Sequence, residues 1–324
     1  MERSRAELDY HRFVAAWHDN NDFILSHTSG STGAPKEIRL LKSDMERSAR
    51  TFITQFGLER RSTVASALPI SSVATKMAIV RHIIADCKYV PLPVCNVFDI
   101  PGYIDVLSIG PSQTHQFLSN AELRTKVGTL FVGGAPLDSE RHRALIDAGY
   151  RVCLSYGMTE TCSNVALCSD TDGIFIANQD ISFTLDGRGC LVIIAPGYSF
   201  SGVVTNDVVE LIDARRFKWL GRYDNVVNSG GIKLFPEQIE KLLDAYIDRP
   251  FYITRRPHSM WGEALAMVIE GSDEDAMRIA HSLRSFSDGV RRPKSIVAVT
   301  KFELTATGKI KRVLPKDGLF INIK

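Results

Sequence analysis

Residues 23–56 open on Phe23-Ile24-Leu25-Ser26-His27 and continue through Thr28-Ser29-Gly30-Ser31-Thr32-Gly33-Ala34-Pro35-Lys36 into Glu37–Phe56. The order is apolar strand, glycine-rich polar loop, helix. Phe23-Ile24-Leu25 reads as a short strand ending at the loop. Over Ser43–Phe56, Met45, Ala49, Phe52, Ile53 and Phe56 recur at spacings of three and four, which predicts an amphipathic helix that Ser43 and Asp44 can begin. Gly30 and Gly33 permit dihedrals and close approaches that side chains block. Thr28, Ser29, Ser31 and Thr32 supply hydroxyl donors, successive N–H groups can form an anion nest, and Lys36 adds a cationic donor. The spacing is not the common G-x-x-x-x-G-K-[ST] pattern. By itself the stretch reads as a phosphate cradle or as an ordinary flexible turn.

The same alternation continues outward. Thr63–Leu68, Cys87–Pro91, Asp105–Ile109, Thr129–Val132 and Arg151–Tyr156 read as buried strands, with helices at Thr75–Ile84, around Glu122 and at Asp138–Ala148. Alternating strands and helices predict an α/β fold with a parallel sheet. After Gly157 the texture changes to short strands split by Gly, Asp and Asn turns, at Ile174–Ala177, Ile181–Leu185, Cys190–Ile194 and Val208–Ile212, as in a small antiparallel subdomain. Pro236 opens a helix, and strands near Tyr252–Thr254, Ala264–Ile269 and Ser295–Val299 flank a helix over about Ser272–Phe286, as in a small α+β domain. The expected domains are 1–223 and 224–324.

The 324 residues carry a net charge of +2, with 44% hydrophobic and 23% charged residues. That balance fits an enzyme-sized globular chain and argues against a nucleic-acid polyanion as main partner. Arg255-Arg256, and Arg291-Arg292 with Lys294, are short basic runs read either as solvated surface or as ligand contacts. The six cysteines form no C-x-x-C pair and mostly sit beside apolar residues, which reads as buried free thiols in a reducing compartment. The polar N-terminus is unlike a signal peptide, and no apolar run reaches 18 residues, so no membrane span is expected and the cytoplasm is the expected location.

Further stretches are Gly133-Gly134-Ala135, Tyr156-Gly157-Met158-Thr159-Glu160, Thr205-Asn206-Asp207, Gly221-Arg222-Tyr223-Asp224, Ser229-Gly230-Gly231-Ile232-Lys233 with Pro236–Glu240, and Thr307-Gly308-Lys309. Taken alone, Glu160 is a solvated acid, Asn206-Asp207 a strand-starting turn and Lys309 a surface lysine. Together with the loop, the last five of these make six motifs in order over residues 28–309 that resemble the adenylate-forming superfamily of acyl- and aryl-CoA ligases, and Gly133-Gly134-Ala135 resembles that family's G-G-A turn. The resemblance implies a large first domain and a small mobile C-terminal domain. The glycine-rich loop would wrap the β and γ phosphates of ATP. Tyr156 would stack on adenine, beside Gly157, and Gly133, Gly134 and Ala135 would line the nucleotide and acid pocket. Thr159 would face phosphate or the acyl carboxylate, and Glu160 would bind Mg²⁺. Asp207 would hold the ribose hydroxyls, Arg222 ribose or phosphate, and Asp224 would be the hinge. Gly230 and Gly231 would line the path of the coenzyme A thiol, with Lys233 near the nucleotide or CoA. Lys309 would steady the carboxylate and α-phosphate during adenylation.

Within the superfamily the chain most resembles the short bacterial o-succinylbenzoate-CoA ligases, through Pro35–Leu40, Leu68-Pro69-Ile70 with Lys76-Met77, Val204–Glu210 and Asn225–Lys233. Ser71-Ser72-Val73-Ala74 and Asn164 depart from that pattern, the latter where such enzymes tend to have histidine. A dianionic acid wants a cationic or multi-donor pocket, and Lys76, Arg81 and His82 are near in sequence. Each reads more simply as helix surface or capping. The loop starts early, at Thr28, where family members carry a preceding subdomain, which leaves an exposed flank, a shallower acid pocket or a homodimer surface. Two other readings stay open: an adenylating protein that loads a carrier protein, and a nucleotide-binding protein without turnover.

Overall fold

The computed structural model of the chain describes residues 2–27, 36–95, 98–304 and 310–323. Of the expected site residues, Thr28, Ser29, Gly30, Ser31, Thr32, Gly33 and Lys309 lie outside the described residues. The chain forms two compact units. One comprises Met1–Thr184, Val192–Val203 and Leu211–Lys218; the other comprises Leu185–Leu191, Val204–Glu210 and Trp219–Lys324.

The first unit begins with α1 (Glu2–Trp17), β1 (Phe23–His27) and β2 (Glu37–Leu41). The two strands pair antiparallel from Phe23↔Leu41 to His27↔Glu37. The expected step from loop straight to helix is corrected here. Glu37-Ile38-Arg39-Leu40 alternates charged and apolar side chains, the period of a half-buried strand, and buries Leu40. The helix α2 (Lys42–Phe56) follows and buries Met45, Ala49 and Phe52, while Gly57 closes it at φ 61°. Asp44 does not cap this helix. Its buried carboxylate accepts from the Ser199 N–H at 3.1 Å and from the Ser199 hydroxyl.

Next come β3 (Thr63–Ser66), α3 (Val73–Ala85), β4 (Lys88–Pro91), β5 (Ile104–Ile109), α4 (His115–Ser119), β6 (Val127–Val132), α5 (Ser139–Asp147) and β7 (Arg151–Met158). Strand β3 pairs parallel with β4 and β5, β5 with β6, and β6 with β7. Consecutive parallel strands need crossovers, which α3 and α5 supply. A core including Leu107, Ile109, Phe117, Leu130, Val132 and Leu145 fills one side of this ladder. Strand β8 (Ser163–Cys168) then reverses direction against β7, and β9 (Ile174–Ala177) against β8. With β10 (Ser182–Leu185), β11 (Cys190–Ile194), β12 (Val203–Asp213) and β13 (Arg216–Arg222), the sheet has eleven strands in the order β10-β11-β12-β13-β9-β8-β7-β6-β5-β3-β4. Residues of β10 to β13 are divided between the units. The α/β class with a parallel sheet and an antiparallel portion is as the sequence implies.

The second unit adds β14 (Val227–Ser229), β15 (Ile232–Leu234), α6 (Pro236–Leu243), β16 (Phe251–His258), β17 (Gly262–Glu270), α7 (Asp273–Leu283), β18 (Ser295–Val299) and β19 (Ile321–Asn322). Its sheet runs β15-β14-β17-β18-β19, with β16 also on β17. Pro236 stands in the first turn of α6, where its missing N–H costs nothing. Ser272 and Asp275 form a reciprocal capping box on α7. Leu243, Ile253, Met267, Ile279, Leu283 and Ile296 build the core.

Among the described residues no helix is long and apolar enough to cross a membrane. Among the described residues no two of the six cysteines form a disulfide; five are buried and Cys95 is half-buried. Burial pushes the Cys87, Cys153 and Cys168 thiols up to about 11 and Cys162 to about 12, so these stay protonated and unreactive at neutral pH.

Asp44→Ala tests a polar tie that spans 155 positions of the first unit. Removing a buried carboxylate leaves the Ser199 donors unsatisfied, and the expected loss is about 2 kcal/mol in urea unfolding. A loss under about 0.5 kcal/mol would show that water replaces the carboxylate.

Candidate functional site

The turn after β7 carries Tyr156, Gly157, Thr159 and Glu160, and its shape follows from short-range contacts. A Cβ on Gly157 would lie 1.8 Å from the Ser163 carbonyl oxygen, so only glycine fits there. The β7–β8 register shifts at Tyr156/Gly157. Cys162 and Ser163 then take φ of 53° and 87°, the left-handed region that non-glycine residues rarely enter. Thr161 clamps the turn: its Oγ1 accepts from the Met158 N–H at 3.0 Å and donates to the Ser163 carbonyl at 2.9 Å. The clamp holds Thr159 and Glu160 half-buried in a single helical turn. The Tyr156 ring packs edge-on against Phe175 and Phe217, with centroids 5.8 and 5.0 Å away.

The Gly133-Gly134-Ala135 turn leaves the end of β6. The Gly133 N–H donates to the Ile109 carbonyl at 3.1 Å, and a Cβ there would meet Ser155 Oγ at 2.3 Å. Gly134 has φ 86° and is exposed with Ala135. This turn and the Thr159-Glu160 turn both follow the C-terminal ends of neighbouring parallel strands, where ligands of open α/β sheets bind. Lys36 is exposed, next to the first residue of β2.

Behind these turns lies a buried polar chain. Arg81 is 1% exposed, with its guanidinium 3.6 Å from the Phe52 ring centroid and 5.4 Å from that of Phe131. Arg81 Nη2 donates to Asn164 Oδ1 at 2.9 Å, and Asn178 Nδ2 donates to the Asn164 carbonyl at 3.0 Å. Lys76 is 8% exposed and donates to Ser26 Oγ at 2.8 Å. Burial alone depresses Lys76 to about 8 and Arg81 to about 9. The surface reading of Lys76 and Arg81 is therefore corrected: both face inward on α3, whose turns are nearly all apolar between them. His82 is at the helix end as read, with Nδ1 against the Cys87 carbonyl.

In the second unit, Asp207 is buried, with Oδ1 accepting from Trp219 Nε1 at 3.0 Å and lying 3.6 Å from Arg222 Nη1. Arg222 Nη2 is 3.6 Å from Asp224 Oδ2, which also accepts from Asn206 Nδ2 at 3.3 Å. The structure thus brings Asp207, Arg222 and Asp224 into one cluster. Arg188 joins it by donating to Asn206 Oδ1 at 3.0 Å and to the Thr205 carbonyl at 3.2 Å, and its guanidinium lies over the Tyr223 ring. Gly230 and Gly231, at φ 61° and 87°, form the tight turn between β14 and β15, ahead of exposed Lys233. The Gly230 N–H donates to the Trp261 carbonyl at 2.9 Å. The basic runs are mostly spoken for: Arg255 Nη2 donates to the Asp224 carbonyl, Arg291 pairs with Asp288, and Arg292 donates to the Arg284 carbonyl.

Sequence reading missed Thr161, Ser163 and Arg188, which hold their neighbours through backbone groups that no residue pattern reports. Asn164 had a signal as a departure from the resembling pattern, but its Arg81 partner is 83 positions away. As for a metal, no group of three or more His, Cys, Asp or Glu converges among the described residues. Glu160 makes no ion pair or hydrogen bond to another described residue. One available carboxylate fits a Mg²⁺ ion that takes its remaining oxygens from phosphate and water.

The protein-family model for AMP-binding enzymes matches residues 3–183. The 2-succinylbenzoate–CoA ligase of Listeria monocytogenes is 24% identical over 344 residues, which cover 95% of this chain and 73% of that one. The structure of an acyl-CoA synthetase (AMP-forming)/AMP-acid ligase II-like protein from Dyadobacter fermentans is 27% identical, with a TM-score of 0.61 over 96% of this chain and 97% of that one. The o-succinylbenzoate CoA synthetase of Bacillus subtilis, in complex with its acyl-adenylate intermediate, superposes with a TM-score of 0.78 at 18% identity, over 90% of this chain and 68% of that one, and shares the fold. These likenesses agree with the resemblance carried by the motifs. With residues 3–183 of 324 matched by the family model, the chain belongs to the AMP-binding enzymes.

Proposed function

We propose that the protein is an AMP-forming acid–CoA ligase whose acid is 2-succinylbenzoate. The observation that carries the reading is the clamped turn at Gly157–Ser163, which presents Thr159 and a free Glu160 carboxylate beside the Gly133-Gly134-Ala135 turn. Relatives named for this substrate, which the chain spans over about three quarters of their length, support the acid.

In this reading a carboxylate oxygen of the acid attacks the α-phosphorus of ATP. The bond to the β-phosphate oxygen breaks and pyrophosphate leaves. Residues Thr28 to Gly33, with Lys36, hold the departing phosphates, and Tyr156 with Gly157 and the Gly133–Ala135 turn seats the base and acid. Asp207, oriented by Trp219, accepts from the ribose hydroxyls, and Arg222 lies beside it. Glu160 would hold Mg²⁺, which offsets charge on the phosphates when bound. Lys309 stabilises charge developing between carboxylate and α-phosphate. The chain after the Asp224 hinge then turns, and the CoA sulfur, passing Gly230 and Gly231, attacks the acyl carbon. AMP leaves and the thiol proton goes to solvent. None of the protein's own thiols is used, in keeping with the burial of five of them.

The deciding measurement is acid-dependent ATP–pyrophosphate exchange with 2-succinylbenzoate, other aryl acids and fatty acids, followed by thioester analysis with CoA. Exchange with no acid sinks the ligase reading; exchange without a CoA thioester favours a carrier-protein acceptor. Lys309→Ala is expected to lower exchange by about a hundredfold or more, while supplied acyl-adenylate still gives thioester. Equal loss in both halves would refute the role of Lys309. Glu160→Gln should raise the Mg²⁺ concentration needed for half-maximal exchange by roughly tenfold or more; an unchanged requirement places the metal elsewhere. Thr161→Val removes the clamp but keeps its shape. It should destabilise the fold by about 1–3 kcal/mol and cut exchange at least as strongly as Glu160→Gln, and normal exchange would show that the turn holds without it.

A further inference from the structure

Lys76 is a buried cation that the mechanism above does not use. It sits one turn into α3, and the start of that helix is tied to the end of β3. Thr75 Oγ1 donates to the Leu68 carbonyl at 2.8 Å and lies 2.8 Å from Ser66 Oγ. The first turn of α3 therefore stands at the same C-terminal edge of the parallel strands as the Gly133–Ala135 and Thr159-Glu160 turns. Its ammonium reaches Ser26 of β1, which is itself wholly buried and is separated from Thr28 of the phosphate loop by His27 alone.

The charge has no protein counter-ion among the described residues: Lys76 takes part in no ion pair there, and burial is the sole cause of its depressed basicity. An ammonium has three donors, and Ser26 takes one. A buried charge with a single neutral partner is costly, and replacement by an apolar side chain of similar volume is commonly neutral or stabilising. Arg81, the other buried cation of this unit, has a different solution: its guanidinium lies on the Phe52 ring and donates to Asn164. Among the described residues Lys76 has neither aromatic face nor amide, and its turn of α3 stands at the C-terminal edge of the parallel strands.

We propose that Lys76 is a substrate-binding cation, whose remaining N–H donors take an oxyanion at this C-terminal edge of the parallel strands. The oxyanion is either the free carboxylate of a dicarboxylic acid substrate or a phosphate oxygen of ATP. The inference rests on the ligase reading and deepens it, because a dianionic acid keeps one carboxylate after the other is adenylated.

The test compares the unmodified protein with Lys76→Met and Lys76→Arg. KM values for ATP and acid are taken from ATP–pyrophosphate exchange, and equilibrium binding of each ligand is measured by calorimetry. Two acids are used: 2-succinylbenzoate, and benzoylpropionate, which lacks the ring carboxylate. Lys76→Met is expected to fold with an unchanged or raised Tm and to weaken its oxyanion ligand by about tenfold or more, with partial recovery in Lys76→Arg. Weaker 2-succinylbenzoate with ATP and benzoylpropionate unaffected identifies the carboxylate. Weaker ATP with either acid identifies the phosphate. Unchanged binding of all three ligands overturns the proposal, and so does a Met variant that fails to fold, since Lys76 would then be a structural residue. If the unmodified protein shows no exchange with any acid, the ligase reading fails on its own. Calorimetry with ATP and 2-succinylbenzoate still decides whether Lys76 binds an oxyanion.

Discussion

The contact between the Ser163 carbonyl and the bare α-carbon of Gly157 governs the first unit's site. It forces the chain back on itself within six residues, between a strand of the parallel ladder and the first strand that opposes it. Such a reversal has no room for a side chain at 157 and drives Cys162 and Ser163 into left-handed backbone. Strain of that kind persists when its surroundings over-determine it. Thr161 does so from within, through two hydrogen bonds to the turn's own backbone, and Asn164 from behind, through Arg81 and Asn178. Thr159 and Glu160 are therefore aimed by backbone geometry.

Helix α3 shows how buried charge is managed next to such a turn. Arg81 spreads a delocalised cation over two phenylalanine faces and directs one N–H at an amide oxygen, which suits a weakly hydrated planar group. Lys76 carries a compact ammonium that aromatic faces and a single hydroxyl satisfy poorly, so its place at the sheet edge has a different consequence. One helix thus holds one cation for architecture and leaves another with donors to spare.

The second unit organises its polar residues differently. Asp207, Arg222, Asp224 and Arg188, with the amide of Asn206, form a mesh in which each side chain restrains the next. Trp219 fixes one carboxylate oxygen of Asp207 in place. Such a mesh holds its acceptors in fixed positions, which would lower the ordering cost of binding the proposed ribose. Arg255 adds a bond to the Asp224 carbonyl, so the proposed hinge residue is held by both its side chain and its backbone.

Much of this was legible in the amino-acid order. The alternation of buried strands with periodic helices specified the parallel ladder, because apolar period is a local property. Pro236 and Ser272 marked helix starts through their own backbone chemistry. The six motifs identified the family because glycines and charged residues at such positions answer to a ligand. Strand β8 was not legible: Ser163–Cys168 is buried on both faces and begins with polar residues, so it has no alternation to read. Nor were β14 and β15, each three residues long. The inward placement of Lys76, Arg81 and Asp44 was decided by tertiary structure alone. Their partners Ser26, Asn164 and Ser199 lie 50, 83 and 155 positions away, and a charged side chain on a helix carries no local mark of which distant group will receive it.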